Sequence, residues 1–438
     1  MRPGLFGLQN WFNGQGEKTL LQLKYKALSK VRFSQFVNGK YFPVLIAFGF
    51  FILTFSIYSA TGPRFPTPYN YFTWLADAFL HGRLGLTKAT RYLGELIPVN
   101  GKFYVIYPPM PAILLMPFVA IWGPEFNQTL GSVFFASVNV SLFYLLVRRL
   151  TRNLEIQIWM TLLFGFSTIH WYIASVGSAW YFAHIASFLF LILAIYETFT
   201  RRRPFLIGLL IGASYWSRLT TILSLPFFII MLSDMWLIKS EENLILRRVN
   251  LKPLVQLGLG VGIFVLLDFT YNFLRFHTPF DVAYFMSGID TPSHEPWLNK
   301  GPFSLSYIRY HLSIILAKPP VFVKEPPYVV PSLAGMSIWI TTPAFIYAIF
   351  AGIRNRVALA CWSGIIPIAL VLFTKNGTGW TQFGYRYAMD FYPFLLLLTI
   401  KGIGDEIRWH HKVLICLGIL VNLWGVLWIN KFRWFRWW

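Results

Sequence analysis

Charged residues are scarce in this sequence of 438 residues, since only 13% are Asp, Glu, Lys or Arg, against roughly 25% in soluble domains. Hydrophobic residues make up 56%, more than a water-soluble core of this size can bury. Cysteine is also rare, and Cys361 and Cys416 both lie within apolar runs, which excludes a disulfide framework and a cysteine metal site. The scarcity of charge predicts an integral membrane protein.

Apolar runs near spanning length recur along the chain and predict an all-α polytopic membrane protein with about eleven or twelve transmembrane helices. The segment 109–122 is shorter than the others and contains Pro109, Pro111 and Pro117, so it either crosses the membrane or re-enters it. The other runs are 41–59, 128–147, 155–173, 180–199, 204–217, 220–238, 254–274, 336–353, 357–374, 387–400 and 412–429.

Acidic residues are fewer than basic ones, and the formal net charge is +21. The basic residues stand in short clusters between apolar runs, as the positive-inside rule distributes them, so the expected partners are membrane lipids. Binding of nucleic acid would need one contiguous basic face, and the sequence argues against it. The clusters place two long segments, 60–108 and 275–335, on the non-cytoplasmic face as large outer loops.

The chain therefore divides into three predicted parts. Residues 1–40 form a basic amphipathic leader on the cytoplasmic side, and residues 41–400 form the transmembrane module with its two outer loops. Residues 401–438 add a C-terminal transmembrane helix and a basic aromatic tail.

The first outer loop contains an apolar pattern with helical spacing from Tyr69 to Leu80, which predicts an amphipathic helix at the interface. Asp77 and His81 are four residues apart and share one face of this helix. The Asp77 carboxylate could act as a general base, with His81 or Arg83 contacting phosphate, or it could be an ion-paired surface residue beside Arg83. Further on, the sequence from Val99 to Lys102 predicts a β-hairpin.

Two ionisable residues are expected near the outer ends of spans. Asp268 lies in the run 254–274, where a carboxylate is costly unless it faces a cavity or a partner. Arg218 stands between two runs, and it could pair with Asp268 or hold a phosphate.

The late segment from Gly377 to Phe394 combines glycines and aromatics with Tyr385, Arg386 and Asp390. Arg386 and Asp390 are four residues apart, so they could form an ion pair within one helix or contribute to a binding site whose aromatic rings stack on a sugar or line a lipid channel. The outer loop 275–335 matches no metal signature, and the chain has no nucleotide-binding Gly-rich loop.

Four stretches resemble the GT-C superfamily of polytopic membrane glycosyltransferases, in particular bacterial members of the protein O-mannosyltransferase and aminoarabinose transferase group. They are Leu75-Ala-Asp-Ala-Phe-Leu-His-Gly-Arg-Leu84, Asn100-Gly-Lys-Phe-Tyr-Val-Ile-Tyr-Pro-Pro-Met-Pro111, Tyr271-Asn-Phe-Leu-Arg-Phe-His-Thr-Pro-Phe-Asp281 and Phe383-Gly-Tyr-Arg-Tyr-Ala-Met-Asp-Phe-Tyr-Pro-Phe394.

The resemblance implies a multi-pass protein of the bacterial cytoplasmic membrane that transfers a sugar from a polyprenyl-phosphate donor to a glycan, lipid or protein acceptor at the outer face. By the same resemblance Asp77 is the base and Arg386 a phosphate ligand. His81, Arg83, Arg218, Asp268, Tyr385 and Asp390 complete the predicted substrate-binding set.

The sequence departs from the family pattern in two places. Tyr69 and Asn70 stand where members often carry an acidic pair, and His170 begins a stretch where another acidic residue is often found. A divalent metal cofactor is therefore doubtful. The alternative functions are a transporter or flippase of lipid-linked glycans, which would need a polar path through the membrane, and a non-catalytic membrane scaffold.

Overall fold

The computed structural model of the protein describes Gly39 and residues 41–88, 95–239, 247–286, 295–379 and 381–436. Apart from Gly39, the predicted leader 1–40 lies outside the described residues. The chain forms two compact units, Met1–Phe50 and Phe51–Trp438. Gly39 and the start of the first helix are the described part of the first unit, and all other elements belong to the second.

Helices make up most of the described chain. The α-helices are α1 (Phe42–Thr61), α2 (Tyr71–Leu80), α3 (Met110–Trp122), α4 (Gln128–Leu150), α5 (Leu154–Phe166), α6 (His170–Val176), α7 (Ala179–Thr198), α8 (Pro204–Tyr215), α9 (Leu225–Met231), α10 (Ser233–Trp236), α11 (Lys252–Phe276), α12 (Ala283–Met286), α13 (Ile308–Ala317), α14 (Ile338–Thr341), α15 (Arg356–Phe373), α16 (Tyr392–Ile403) and α17 (Trp409–Leu427). Short 3₁₀ helices cover Leu219–Ser224, Leu305–Tyr307, Pro343–Ala351 and Arg386–Asp390, and a π-helical turn, Trp428–Phe432, extends α17.

Within the described residues, six helices are long and apolar enough to cross a membrane, so the chain is a helical membrane protein, as the composition predicted. They are α1, α4, α7, α11, α15 and α17 with its π-helical extension. Shorter apolar helices of 10–17 residues occupy Met110–Trp122, Leu154–Phe166, Pro204–Tyr215, Leu219–Met231 and Tyr392–Ile403.

The predicted span 336–353 forms no long helix. It contains α14 and the 3₁₀ helix Pro343–Ala351, separated at Thr342. Thr342 precedes a proline and takes an extended φ of -145° and ψ of 72°. Because a proline ring disfavours the helical conformation of the preceding residue, the α-helix ends there.

The long helices differ in how much of their surface the protein covers. Within its apolar window α7 is 83% buried, whereas α11 is only 28% buried. The exposed side of α11 carries Leu259, Ile263, Leu266 and Phe273. In a membrane protein such a face contacts lipid, and α7 is the interior helix against which functional side chains can be held.

Helices α8 and α11 pack at backbone contact. A Cβ atom added at Gly208 would collide with the Leu257 carbonyl oxygen, and one added at Gly260 would collide with the Phe205 carbonyl oxygen. Small residues at crossings of this kind allow membrane helices to approach closely. The contact holds α8 against α11, and the C-terminal end of α8 leads to Arg218.

The described strands form three short antiparallel pairs. Strands β1 (Leu96–Val99) and β2 (Lys102–Val105) confirm the predicted hairpin, and Asn100 and Gly101 at its turn have φ angles of 49° and 74°. The other pairs are β3 (Leu237–Lys239) with β4 (Arg247–Val249) and β5 (Val321–Phe322) with β6 (Val329–Val330).

The long segment 60–108 contains α2, which packs against α3. The predicted helix is confirmed, but most of its residues are buried against protein. Helix α3 has 13 residues, with Pro117 inside it. At about 1.5 Å per residue it is roughly 20 Å long. It is therefore shorter than the roughly 30 Å hydrocarbon core of a bilayer.

Candidate functional site

A cavity of about 450 Å³ lies where the start of α7, the Arg218 segment, the two long segments 60–108 and 275–335 and the end of α15 meet. One part of its wall carries Arg218, Lys375, Asn376, Arg386 and Tyr387, together with Tyr107, Trp180 and Asp281. The remaining wall is mainly apolar. The cavity therefore combines cationic and hydrogen-bonding groups with hydrophobic side chains.

Arg386 is the most unusual group in the wall. Its residue is only 7% exposed, and within the described residues the buried Nε and Nη1 atoms have no hydrogen-bond partner. The guanidinium lies over the ring of Tyr387, with its central carbon 4.9 Å from the ring centroid. Leaving a buried charged donor unsatisfied costs more than the about 1–3 kcal/mol of a neutral group, so the site is suited to an acceptor from outside.

The glycine-rich stretch before Arg386 makes room for the guanidinium. Gly379 has a φ of +116°, and an added Cβ atom would lie 2.6 Å from Arg386 Nε. Gln382 holds the loop, since its Nε2 donates to the carbonyls of Ala334 and Thr378 and its Oε1 accepts from the Arg386 backbone N–H. The glycines and Gln382 thus position the arginine.

Lys375 supplies a second cation just beyond the end of α15. Its Nζ lies 3.1 Å from the Tyr284 hydroxyl and 3.4 Å from the Tyr387 hydroxyl, and it lies 5.5 Å from the centroid of the Tyr387 ring. The Arg218 guanidinium carbon is 5.7 Å from the same centroid. Three cations therefore surround one phenol, which makes this part of the cavity strongly attractive to an anion.

Arg218 differs from the other two cations because a carboxylate holds it. Its Nη2 donates to Asp390 Oδ2 at 2.9 Å, and its Nε donates to Oδ1 at 3.1 Å. His184 Nδ1 contacts Asp390 Oδ1 at 2.8 Å, and the Thr220 hydroxyl donates to Oδ2. The Asp390 side chain is fully buried. Its ion pair with Arg218 holds the guanidinium of Arg218 at the cavity wall.

Two more buried donors lie at the same cavity. Trp180 Nε1 and Asn376 Nδ2 are buried without a hydrogen-bond partner among the described residues, and both residues line the cavity. Together with Arg386 they place four unsatisfied N–H-bearing atoms around one space. Native proteins contain few buried polar groups without a hydrogen-bond partner. Four such atoms at one cavity indicate a binding site for a ligand that carries several hydrogen-bond acceptors.

The carboxylates near the cavity are Asp281 and Glu95. Asp281 is the only carboxylate in the described wall, and burial raises its pKa while the Ala283 backbone N–H, which donates to Oδ1 at 3.1 Å, lowers it. Glu95 lies behind the wall and accepts a hydrogen bond of 2.6 Å from the Tyr107 hydroxyl. Burial raises the pKa of Glu95 to about 7, although the hydroxyls of Tyr107 and Tyr71 and the charge of Arg386 act in the opposite direction.

The apolar wall contains Ile222, Leu223, Phe285, Phe303 and Val371. Phe285 is 55% exposed and Phe303 is 56% exposed, so the cavity opens beside hydrophobic surface. Exposed hydrophobic side chains of this kind are suited to contact an isoprenoid or acyl chain.

The predicted base Asp77 and its neighbours lie elsewhere. Asp77 Oδ2 accepts from Arg83 Nη2 at 3.3 Å, and His81 Nδ1 contacts the Asp77 carbonyl oxygen at 2.8 Å. The exposed fraction of the side chain is 25% for Asp77, 35% for Arg83 and 63% for His81. None of the three lines the cavity. The contacts match the alternative of an ion-paired surface aspartate.

The other predicted site residues divide into two groups. Arg218 and Arg386 line the cavity, and Asp390 lies behind Arg218. Asp390 pairs with Arg218 and His184, and among the described residues it forms no ion pair with Arg386. Asp268 does not pair with Arg218, because its Oδ2 accepts from the Tyr215 hydroxyl at 2.8 Å and from Asn272 Nδ2 at 3.3 Å. Tyr385 lies behind the wall, where its hydroxyl contacts His311 Nδ1 at 2.7 Å.

The sequence reasoning missed Lys375, Trp180 and Glu95. Lys375 and Asn376 directly follow an apolar span and precede the glycine-rich segment. This position next to Gly377 could have identified them as candidate site residues. Trp180 is one of 18 tryptophans and Glu95 precedes the hairpin, and neither carries a local pattern. Among the described residues no group of three or more His, Cys, Asp or Glu side chains could hold a metal ion.

Comparisons with known proteins add no name to this geometry. No protein-family model, no curated protein and no solved structure matches the chain.

Proposed function

We propose that this protein is a membrane glycosyltransferase of the GT-C type, which transfers a sugar from a polyprenyl-phosphate donor to a glycan, lipid or protein acceptor at the non-cytoplasmic face. The proposal includes about eleven or twelve crossings of the bacterial cytoplasmic membrane, counting the shorter apolar helices. Its main support is the buried, unsatisfied guanidinium of Arg386 in a cavity that combines cationic groups with hydrophobic side chains.

In this proposal the donor phosphate binds between Arg386, Lys375 and Arg218. The Nε and Nη1 atoms of Arg386 can donate two hydrogen bonds to phosphate oxygens, an arrangement to which the planar guanidinium is well suited. Lys375 adds a point charge, and Asp390 keeps Arg218 aimed at the cavity. The isoprenoid chain leaves along Phe285 and Phe303 into lipid.

Transfer breaks the bond between the anomeric carbon and the phosphate oxygen, and the electron pair stays on the phosphate. The acceptor hydroxyl oxygen bonds to the anomeric carbon and gives up its proton to a carboxylate. The cations stabilise the negative charge that develops on the leaving phosphate. Trp180, with its free Nε1, is placed to contact the sugar beside Arg386.

We assign the base to Asp281, because it is the carboxylate in the described cavity wall. The resemblance assigns this role to Asp77, whose ion pair with Arg83 leaves it outside that wall. Both carboxylates lie in predicted outer loops, so one activity assay on two variants decides between them.

The proposal is tested by incubating the purified protein with a polyprenyl-phosphate sugar labelled in the sugar. The expected result is loss of label from the lipid, fast with the native protein and about 10²–10³-fold slower with Arg386→Gln. The surface variant Arg149→Gln is the matched control, because Arg149 is exposed and contacts only Tyr196 in the described structure.

Label that stays on the lipid under all acceptor conditions contradicts the proposal. If reconstituted vesicles move the intact sugar lipid between leaflets, the protein is instead a flippase.

A further inference from the structure

The inference concerns the charge of the cavity and rests on the proposed function. Three cations face the cavity, and only Arg218 has a carboxylate partner among the described residues. Lys375 contacts the hydroxyls of Tyr284 and Tyr387 and a backbone carbonyl, all neutral acceptors. Arg386 has unsatisfied nitrogens. Two cationic charges are therefore left for a ligand.

The negative groups do not cancel this excess. Asp390 is used by Arg218, with His184 on its other side. Asp281 lines the cavity, and Glu95 lies behind Tyr107. Asp281 carries a negative charge when it acts as the base, and Glu95, whose pKa burial raises to about 7, is partly ionised at neutral pH. Neither forms an ion pair with Lys375 or Arg386 among the described residues. The phenols of Tyr107, Tyr284 and Tyr387 complete the titratable groups around the anion site. Burial raises the pKa of Tyr107, whereas at Tyr387 burial is outweighed by the charges of Lys375, Arg386 and Arg218, which lower the pKa.

Transfer changes the charge of the lipid phosphate. The donor is a phosphodiester with one negative charge. When its anomeric C–O bond breaks and the electron pair stays on the phosphate, the carrier becomes a phosphomonoester. A second acidic group with a pKa near 6 gives this monoester close to two negative charges at neutral pH.

We infer that the cavity is matched to the charge of the spent carrier, so that it binds a polyprenyl phosphomonoester more tightly than the diester donor and is inhibited by its own product. The same excess of cationic charge favours the developing dianion during bond cleavage, so stabilisation of the reaction and retention of the product have one physical origin. Turnover then depends on how fast the carrier leaves along the apolar wall.

The test measures binding of farnesyl phosphate and its methyl diester to the purified native protein by isothermal titration calorimetry. At about pH 8 the monoester should bind about tenfold more tightly, because it presents one further charge to Lys375 and Arg386. At about pH 5 the monoester carries one charge like the diester, and the ratio should approach one. An ionised Asp281 or Glu95 at about pH 8 repels the dianionic monoester more than the diester, so these carboxylates lower the ratio there and cannot produce the preference.

A variant separates charge from shape. Lys375→Gln keeps a hydrogen-bonding side chain and should reduce monoester affinity more than diester affinity, so the ratio at about pH 8 should fall at least threefold. Arg149→Gln should leave both affinities within a factor of two, since it is exposed and remote from the cavity wall.

The outcomes are distinguishable. Equal affinities at about pH 8, or a tighter diester, overturn the inference and leave the proposed transferase standing. Failure of the native protein to bind either lipid overturns both. A ratio that stays constant down to about pH 5 also overturns it, because the preference would then not come from the second phosphate charge.

Discussion

Two clusters of ionisable residues in this protein satisfy their charges in opposite ways. Asp77, His81 and Arg83 are partly exposed and contact one another, so the cluster is complete without a ligand. Arg386 and Lys375 are beside a cavity, and their nearest partners are aromatic rings and neutral oxygens. The comparison teaches that a buried donor without a hydrogen-bond partner indicates a binding site better than a cluster of charges does. Water solvates the charges of the exposed cluster, so that cluster needs no ligand.

The largest expected effect contrasts one carboxylate from each region. Asp281→Asn should reduce sugar transfer by about 10²–10⁴-fold, the range of general base catalysis, whereas Asp77→Asn should cost less than about tenfold. Initial rates at saturating donor give the values. If Asp77→Asn has the larger effect, the base lies in the exposed cluster and the comparison is reversed.

The second prediction contrasts one arginine from each region. Arg386→Gln should slow transfer by about 10²–10³-fold, because it removes a preorganised donor from the leaving phosphate. Arg386→Lys should recover only part of the rate, since an ammonium cannot make the paired hydrogen bonds of a guanidinium. Arg83→Gln should stay within about tenfold, because solvent-exposed ion pairs contribute little. Comparable losses in Arg386→Gln and Arg83→Gln would refute the distinction.

A third prediction concerns stability on the cavity side. Because the folded pKa of Glu95 is raised from 4.5 to about 7, the stability from its protonated form is fully present below about pH 4.5 and is lost as the pH rises through about 7. This loss amounts to roughly 3 kcal/mol at 1.36 kcal/mol per pKa unit.

The Gln side chain of Glu95→Gln cannot ionise, so this variant should lose the pH dependence of stability. The measurement is the free energy of unfolding in detergent across this pH range. Tyr107→Phe deletes a hydrogen bond that favours ionisation and should move the loss to higher pH. A native profile identical to that of Glu95→Gln would contradict the burial of this carboxyl group.

The smallest expected effect tests the space around Arg386. Gly379→Ala should lower transfer by about tenfold, because the new methyl group occupies the position next to Nε and the backbone has a positive φ. Gly258→Ala is the matched control, since an added Cβ atom there meets nothing within 4 Å. Unchanged transfer in Gly379→Ala would mean that the guanidinium can move without loss of function.

Local sequence patterns predicted the long helices well. The run 180–199 corresponds to α7, and the run 128–147 corresponds to most of α4, because both carry enough apolar length to be helical whatever surrounds them. The hairpin at Asn100 and Gly101 was equally readable, since few residues other than these two accept the positive φ angles of its turn.

The pairing of the charges was not readable from the sequence. Arg386 and Asp390 were expected on one face of an α-helix, but Arg386–Asp390 is a 3₁₀ helix. With three residues per turn, positions four apart point about 120° away from each other. Asp390 instead meets Arg218, which precedes it by 172 positions. Such a contact depends on how α7, α8 and the late segment pack, and spacing along the chain does not record it.

The unsatisfied donors around Arg386 also allow the thermal stability of the protein to report ligand binding. A compound that supplies the missing acceptors binds the folded state alone, and it raises the apparent melting temperature in proportion to the logarithm of its concentration over Kd. A melting-temperature screen of phosphorylated lipids can therefore rank carriers without a labelled sugar or a known acceptor. Arg386→Gln provides the blank, because a compound that stabilises this variant equally is acting elsewhere on the protein or on the detergent.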